Sequence, residues 1–434
     1  MRHSHIFPEE TFLCSVTALL VIVCLCFLIL SIVTEERFVT SLEIIAKRIG
    51  LSPDVAGATL IGAAANTPEL VSSFIATFIT HSALGLGTVL GSIIGNEMLI
   101  TASAVFAAKD RILQLDPLLL TRECGFCVLS LLLLLYAVSE DKYTKNGTER
   151  IHVTFHSSSV LASAYIFYVL IMVNFQKIKR CFKTTDSIGD TDSPYDNMEI
   201  DRFYEPSETS SLLHNDRTEE RPLPSVPKNN SLLSKFLHVV LLPLKALINL
   251  TIPSIDSHGE ASWKDLILSC VACIIWLVVV CYYMVAALET LGDLIGISDI
   301  VMGVTLAAVG TSVPNIVAAN ISARNGQGDV AIGNAFGSNI FIVMVGLGLP
   351  WAIYTGTGHY YDDLIDDNTQ GHILVMIATT ATYYVMLLKS DFCLRAWHAA
   401  AFILMYMGWL VWTVMSIDFD ARAAKLLAMK HMKE

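Results

Sequence analysis

Apolar residues in this chain fall into long unbroken runs, and the polar residues collect between them. A run of about 20 apolar residues crosses the roughly 30 Å hydrocarbon layer of a bilayer as a helix. Ten runs qualify: roughly 11–33, 54–80, 84–108, 124–139, 156–175, 265–287, 300–322, 330–353, 372–388 and 396–416. The pattern predicts an all-α polytopic membrane protein. The first run invites comparison with a secretory signal, but it is long, has one Arg before it and ends in no small-residue cleavage site. It reads as a true span.

The runs split into two groups of five. Residues 1–175 hold the first five and 254–434 the last five, with a polar stretch over 176–253 between them. That stretch begins with Lys177, Lys179, Arg180 and Lys183, then turns acidic and Ser-, Thr- and Pro-rich. Such composition buries too little apolar area to fold alone, so most of it is expected to be disordered. Its end, Phe236–Ile252, carries His238, Pro243 and Lys245, and reads as a surface-lying amphipathic helix rather than an eleventh span. Lys and Arg cluster after the odd-numbered spans, which predicts an external N-terminus and a cytosolic central loop.

Composition sharpens this picture. Of 434 residues, 54% are hydrophobic and 16% charged, with mean hydropathy +0.58; soluble domains carry nearer a quarter charged. Net charge is −12 and no basic stripe suggests nucleic acid. Eight of ten cysteines lie inside apolar runs, and Cys124–x–x–Cys127 and Cys270–x–x–Cys273 have no clustered His, so they read as small buried side chains.

The two halves repeat one another. GATLIGAAANTPELVSSFIA (57–76) aligns with GVTLAAVGTSVPNIVAANIS (303–322), and ALGLGTVLGSIIGN (83–96) with DVAIGNAFGSNIFI (329–342), at one constant offset of 246. Pro68 matches Pro314, and Gly91-Ser92 matches Gly337-Ser338. Five spans precede the second half, an odd number, so the copies are inverted. Inverted repeats place an ion or substrate site near mid-membrane at their interface. Pro68 and Pro314 each break a helical hydrogen bond and free a carbonyl, which lipid tolerates only where a cavity is lined or an ion bound.

Glu69 follows Pro68 near the middle of its span. A carboxylate there is costly and marks a functional site by default. Oxygen donors accompany it: Asn66, Ser92, Asn96, Thr311, Ser312, Asn315 and Ser338. These are hard donors of the kind that Na⁺ and Ca²⁺ take. Glu97 is a second acid beside Asn96, but about 100° around the helix from it.

On these residues the paired segments resemble the α-repeats (about 54–108 and 300–353) of the cation/Ca²⁺ exchanger superfamily, most closely its potassium-dependent sodium/calcium branch. The resemblance implies a secondary antiporter moving Ca²⁺ against Na⁺ by alternating access, with no cofactor and no enzymatic activity. It implies that Glu69 is the central ligand and that Ser92 and Asn96 join it. The second repeat keeps Gly310-Thr311-Ser312-Val313-Pro314, but the acid expected next is Asn315, and the branch's potassium-associated Asp is Ile342. The first repeat has Ala64-Ala65-Asn66-Thr67 where the branch has Gly-Ser-Ser-Ala. We therefore expect transport without K⁺ dependence and with altered selectivity or stoichiometry, H⁺ remaining open as an exchanged ion. Glu97 is the candidate compensating acid. The rival expectation is a non-transporting sensor or regulatory subunit on the same scaffold.

Lesser signals complete the reading. Asn146-Gly147-Thr148 is a glycosylation sequon on the expected outer side. Glu208 with Leu212 and Leu213 fits an acidic dileucine signal that trafficking adaptors read, and Tyr195–Met198 fits a tyrosine-based one. They are compatible with a plasma-membrane or endolysosomal/Golgi location.

Overall fold

A computed structural model describes residues 9–51, 57–139, 141–145, 148–186, 232–253, 262–359 and 369–431. The described residues are almost entirely helical: α1 (9–48), α2 (57–80), α3 (Leu84–Ala107), α4 (Pro117–Ala137), α5 (Phe155–Asp186), α6 (Leu232–Thr251), α7 (Trp263–Ile295), α8 (Asp299–Arg324), α9 (Gly328–Gly356), α10 (Thr369–Lys389) and α11 (Ala396–His431). Among the described residues, nine of these are long and apolar enough to cross a bilayer. α2 occupies the tenth expected span but is broken at Asn66 (φ −99°, ψ 10°), so it is two short helices end to end.

Local chemistry sets several boundaries. Asp116 accepts from the amides of Leu118 and Leu119 and starts α4 with Pro117 in its first turn, well before the expected 124. Ser262 and Asp265 form a capping box at α7, and Gly296 (φ +76°) ends it in the left-handed region. α1 outruns its expected end at 33, because Ile32–Val39 stays helical in widened turns and Thr40–Arg48 continues it.

The inverted repeat is visible in the backbone itself. Widened π-type turns occur at Gly57–Ile61 and Gly303–Ala307, and again at Asn96–Ile100 and Ile342–Leu347. Each pair starts 246 residues apart, the offset of the sequence repeat. Such turns often mark functional sites.

Packing divides into two apolar clusters. One joins α1 to α7 and the inner half of α2, through residues such as Val23, Leu30, Leu277 and Cys281. The larger joins α3, α4, α8, α9, α10 and α11, through Ile93, Leu131, Phe336, Tyr383 and Phe402. The tightest crossing is α3 on α8. A Cβ at Gly87 would lie 2.4 Å from the Ile300 carbonyl oxygen, one at Gly91 2.5 Å from that of Val304, and one at Gly303 2.4 Å from that of Leu84. Glycine on both helices brings the two backbones, and hence the two repeats, into direct contact.

Short ribbons tie the loops. β1 (Ile112–Gln114) pairs antiparallel with β4 (Cys393–Arg395), and β2 (Asp141–Lys145) with β3 (Thr148–His152). The first ribbon puts the α3–α4 and α10–α11 loops on one face, as the Lys/Arg distribution expects. α6 covers the Phe236–Ile252 segment: Lys245 meets Glu36 at 3.5 Å, the Arg37 guanidinium donates to Asn249, and Trp276 donates to Thr251 at 2.9 Å. Asn146, the sorting residues Glu208, Leu212 and Leu213 and the 195–198 motif lie outside the described residues.

Because the Gly87 crossing leaves no room for a methyl group, Gly87→Ala should cost about 1–3 kcal/mol through overpacking. Gly125→Ala, which meets open space, should change stability by less than about 0.5 kcal/mol. Thermal unfolding of the two variants in detergent checks the contrast.

Candidate functional site

The polar residues of α2, α3, α8 and α9 converge where the helix regularity fails. Pro68 cannot donate to the Ala64 carbonyl, nor Pro314 to that of Gly310. The chain answers this differently in the two copies. In α2 the Asn66 amide nitrogen donates to the Gly62 carbonyl at 2.7 Å, Thr67 donates to Ala63 at 2.8 Å, and the helix breaks. In α8 the helix runs through Pro314 without a break.

From these turns hangs a buried network of amides and hydroxyls. Asn66 Nδ2 donates to Ser338 Oγ at 3.2 Å, joining α2 to α9. Asn96 Nδ2 donates to Asn339 Oδ1 at 2.9 Å, and Ser312 Oγ donates to Asn96 Oδ1 at 3.2 Å, joining α3 to α9 and α8. Ser92 and Thr311 face each other at 3.5 Å. Thr311 also hydrogen-bonds the Glu69 carboxylate. Glu69 is 2% exposed and Asn315 4%. Two acceptors in this group, Glu69 Oε2 and Asn66 Oδ1, are buried without a hydrogen-bond partner. Unsatisfied buried oxygens beside a carboxylate are what a bound cation would satisfy.

α1 closes the site on one side. A cavity of ≈ 10 Å³, about the space of one water centre, is lined by Ser31, Thr34, Ala65, Pro68, Gly310 and Thr311. Thr34 Oγ1 is buried there with no partner. The Phe27 ring lies against Gly310, where a Cβ would sit 2.1 Å from it, so this glycine admits α1 to the site.

Comparison with known proteins is decisive about family. The family model described as sodium/calcium exchanger protein matches residues 19–174 and 266–415, most of the chain. The chain belongs to the sodium/calcium exchanger family. Its family members include the human "Sodium/potassium/calcium exchanger 5", 31% identical over 360 residues, covering 76% of this chain and 69% of that protein. The mouse "Sodium/potassium/calcium exchanger 4" is 26% identical over 77% of this chain and 70% of its own length. The crystal structure of an H⁺/Ca²⁺ exchanger shares the fold, with TM-score 0.57 at 12% identity, over 95% of this chain and 88% of that one. The chain is thus a multi-pass membrane protein of an exchanger family and not an enzyme.

Within that exchanger fold, the candidate residues fall into two groups. Glu69, Asn66, Ser92, Asn96, Thr311, Ser312 and Ser338 make the buried hydrogen bonds just described, in three separate sets (Asn66 with Ser338, Asn96 with Asn339 and Ser312, Ser92 with Thr311 and Glu69), and Asn315 is buried on α8 one residue beyond Pro314. Glu97 goes elsewhere. Its carboxylate takes the Thr380 hydroxyl at 2.9 and 3.0 Å and the Cys127 thiol at 3.3 Å, on α10 and α4. Cys127 is a small buried side chain, as its place in an apolar run implies, and its thiol also donates to Glu97. The sequence did not single out Thr34 or Thr380. Each is one hydroxyl in an apolar run, and no spacing tells which helix it meets.

Asn96 holds both Asn339 and Ser312. Asn96→Ala should strand two buried polar groups and cost about 1–3 kcal/mol. Asn96→Asp keeps the acceptor for Ser312 but turns a buried carboxylate against the Asn339 Oδ1 acceptor and should cost more, on the order of several kcal/mol. Chemical or thermal unfolding of the two purified variants reads the order.

Proposed function

We propose that this chain is a secondary active cation antiporter that moves Ca²⁺ against Na⁺ by alternating access, without K⁺ dependence, with Glu69 as the central ligand. Ser92, Asn96, Thr311, Ser312, Asn315, Ser338 and Asn66 supply neutral oxygens around it, and the proline turns at 68 and 314 supply carbonyls. One observation carries the reading: a buried carboxylate oxygen and a buried amide oxygen, Glu69 Oε2 and Asn66 Oδ1, lack partners at the interface of two inverted repeats. Inverted-repeat transporters bind their ions at such an interface.

The donor set has consequences for ion choice. One carboxylate balances one Na⁺, whereas Ca²⁺ leaves a net positive charge in a poorly polarisable setting. Two unit charges 4 Å apart interact by about 4 kcal/mol at an effective dielectric of 20, so a missing acid is felt. Asn315 stands where the family's second acid is expected, and Ile342 where the potassium-associated Asp is expected. Ca²⁺ affinity should be low, and K⁺ should find no acid at 342. The same two substitutions favour the second reading, a non-transporting sensor on an exchanger scaffold. The two five-helix halves, the cytosolic central loop with its adaptor signals and a glycan at Asn146 belong to this proposal.

Purified protein in liposomes tests it. Na⁺-gradient-driven Ca²⁺ uptake should fall at least about a hundredfold in Glu69→Gln, the scale expected for losing about 3 kcal/mol of charge stabilisation, and should be unaffected when choline replaces K⁺. Asn315→Asp should tighten Ca²⁺ binding. Dependence on K⁺ would refute the potassium claim; no flux of Ca²⁺, Na⁺, K⁺ or H⁺ would favour the sensor.

A further inference from the structure

The β1–β4 ribbon joins the α3–α4 and α10–α11 loops on one face of the bundle. Each strand is entered through two left-handed residues in a row, Asp110-Arg111 (φ +55° and +56°) and Asp391-Phe392 (φ +49° and +55°). The amide after each pair donates back across it, Ile112 to the Lys109 carbonyl and Cys393 to that of Ser390 at 3.0 Å. This is the pattern of a type I′ turn. A bulky residue such as Phe392 is rare in that conformation. Burial holds it there, as does the Leu115 amide, which donates to its carbonyl at 3.0 Å. The α10–α11 turn is thus firmly placed.

Beside this turn lies a cleft of ≈ 340 Å³, whose walls include Met386, Lys389, Asp391, Arg395, Trp397 and His398. That volume is within the range of small-molecule sites. Its polar groups are mostly donors. Lys389 and Arg395 are exposed, and neither takes part in the ion pairs of the described residues, Arg122–Glu123 and Lys245–Glu36. Asp391 lines the same cleft but forms no ion pair with either. His398 is buried, and its Nδ1 accepts from the Arg395 amide at 3.0 Å. Its hydrogen is then on Nε2, which makes the ring a neutral donor. The exposed Trp397 ring stacks on it, with centroids 3.5 Å apart.

A guanidinium, an ammonium and an imidazole N–H around one cleft select an anion, and the planar fork of Arg suits phosphate. The adjoining turn adds to the field. β4 pairs Arg395 with Ile112, next to Arg111, so the two turns together carry Lys109, Arg111, Lys389 and Arg395 against Asp110 and Asp391. Position indicates the source of the anion. α10 ends at Lys389 and α11 begins at Ala396, so the cleft lies where two apolar helices reach the membrane surface. Trp at such a boundary sits at head-group level. Met386 and Trp397 give the cleft an apolar side for which a free anion has no use. Basic pockets at the cytosolic ends of membrane helices suit anionic lipid head groups.

We propose that this cleft binds the phosphate of an anionic phospholipid. Lys389 and Arg395 are its charged ligands, His398 is a neutral donor, and Trp397 packs against the glycerol and acyl side. The site goes beyond the ion chemistry at Glu69 and shares with the proposed function only the cytosolic side of these loops. Bound lipid fastens the α10–α11 turn, and through the ribbon the α3–α4 loop, to the membrane surface.

The test is native mass spectrometry of the purified full-length protein in detergent, titrated with phosphatidic acid or with phosphatidylcholine. Wild type should bind phosphatidic acid more tightly. Lys389→Gln and Arg395→Gln should each weaken that binding about fivefold, the scale of one basic residue at an anionic membrane surface. Asp391→Asn keeps a residue suited to the left-handed turn and should tighten it. Arg324→Gln removes a positive charge outside the cleft and should leave it unchanged. All four side chains are exposed, so the variants should fold, which thermal unfolding checks. Millimolar inorganic phosphate should not displace the lipid. Equal binding by wild type and the Lys389→Gln/Arg395→Gln double variant overturns the site. An equal loss in Arg324→Gln reduces it to general surface charge and overturns it as well. Displacement by inorganic phosphate overturns the lipid assignment in favour of a free anion. None of these readouts involves transport or sidedness, so failure here is distinguishable from failure of the antiporter reading.

Discussion

The described structure is arranged around a carboxylate, Glu69, with no basic partner among the described residues. Glu69 is buried in the middle of an apolar bundle, and the ion pairs of the described residues lie elsewhere. An isolated charge there carries a desolvation cost of several kcal/mol even after relaxation. It is tolerable only if neutralised by a proton or a cation. The surrounding architecture supplies the second option. Proline turns free carbonyls, glycines let α3 and α8 approach to backbone distance, and side-chain amides and hydroxyls of α2, α3, α8 and α9 hydrogen-bond from helix to helix.

The backbone obeys the inverted symmetry more closely than the chemistry does. Widened turns recur at the same offset in both halves, yet Glu69 is matched by Asn315, Asn96 by Ile342 and Ala65 by Thr311. The symmetric scaffold holds an asymmetric site. The first repeat carries the charge, and the second carries hydroxyls that reach across to it, Thr311 to Glu69 and Ser312 to Asn96. Losing one acid from such a site alters which ions balance it, without disturbing how the helices cross.

Much of this was legible in the sequence because it depends on local periodicity. Run length gave the spans, and one offset exposed the repeat. The adjacency of Pro68 and Glu69 placed an acid at a broken turn. The family resemblance rested on those same segments, and the family match agrees. What the sequence did not disclose depends on which helix faces which. The sequence offers Glu97 as a candidate compensating acid about 100° around the helix from Asn96, but does not say that this direction leads to Cys127 and Thr380. Thr34 joins the cavity because α1 continues as a helix beyond its apolar run, through wide turns that hydropathy does not announce. The break of α2 at Asn66, against the unbroken α8 at Pro314, is likewise not announced by proline, which both copies share.

The central claim is that Glu69 binds the cation, and equilibrium binding tests it without requiring turnover. A ligand that binds only the folded state stabilises it by mass action, about 2.7 kcal/mol at a hundred times its dissociation constant. Thermal unfolding of the purified protein should therefore shift upward as Na⁺ or Ca²⁺ is added, and the shift should vanish in Glu69→Gln. Equal cation stabilisation of both proteins would contradict the account.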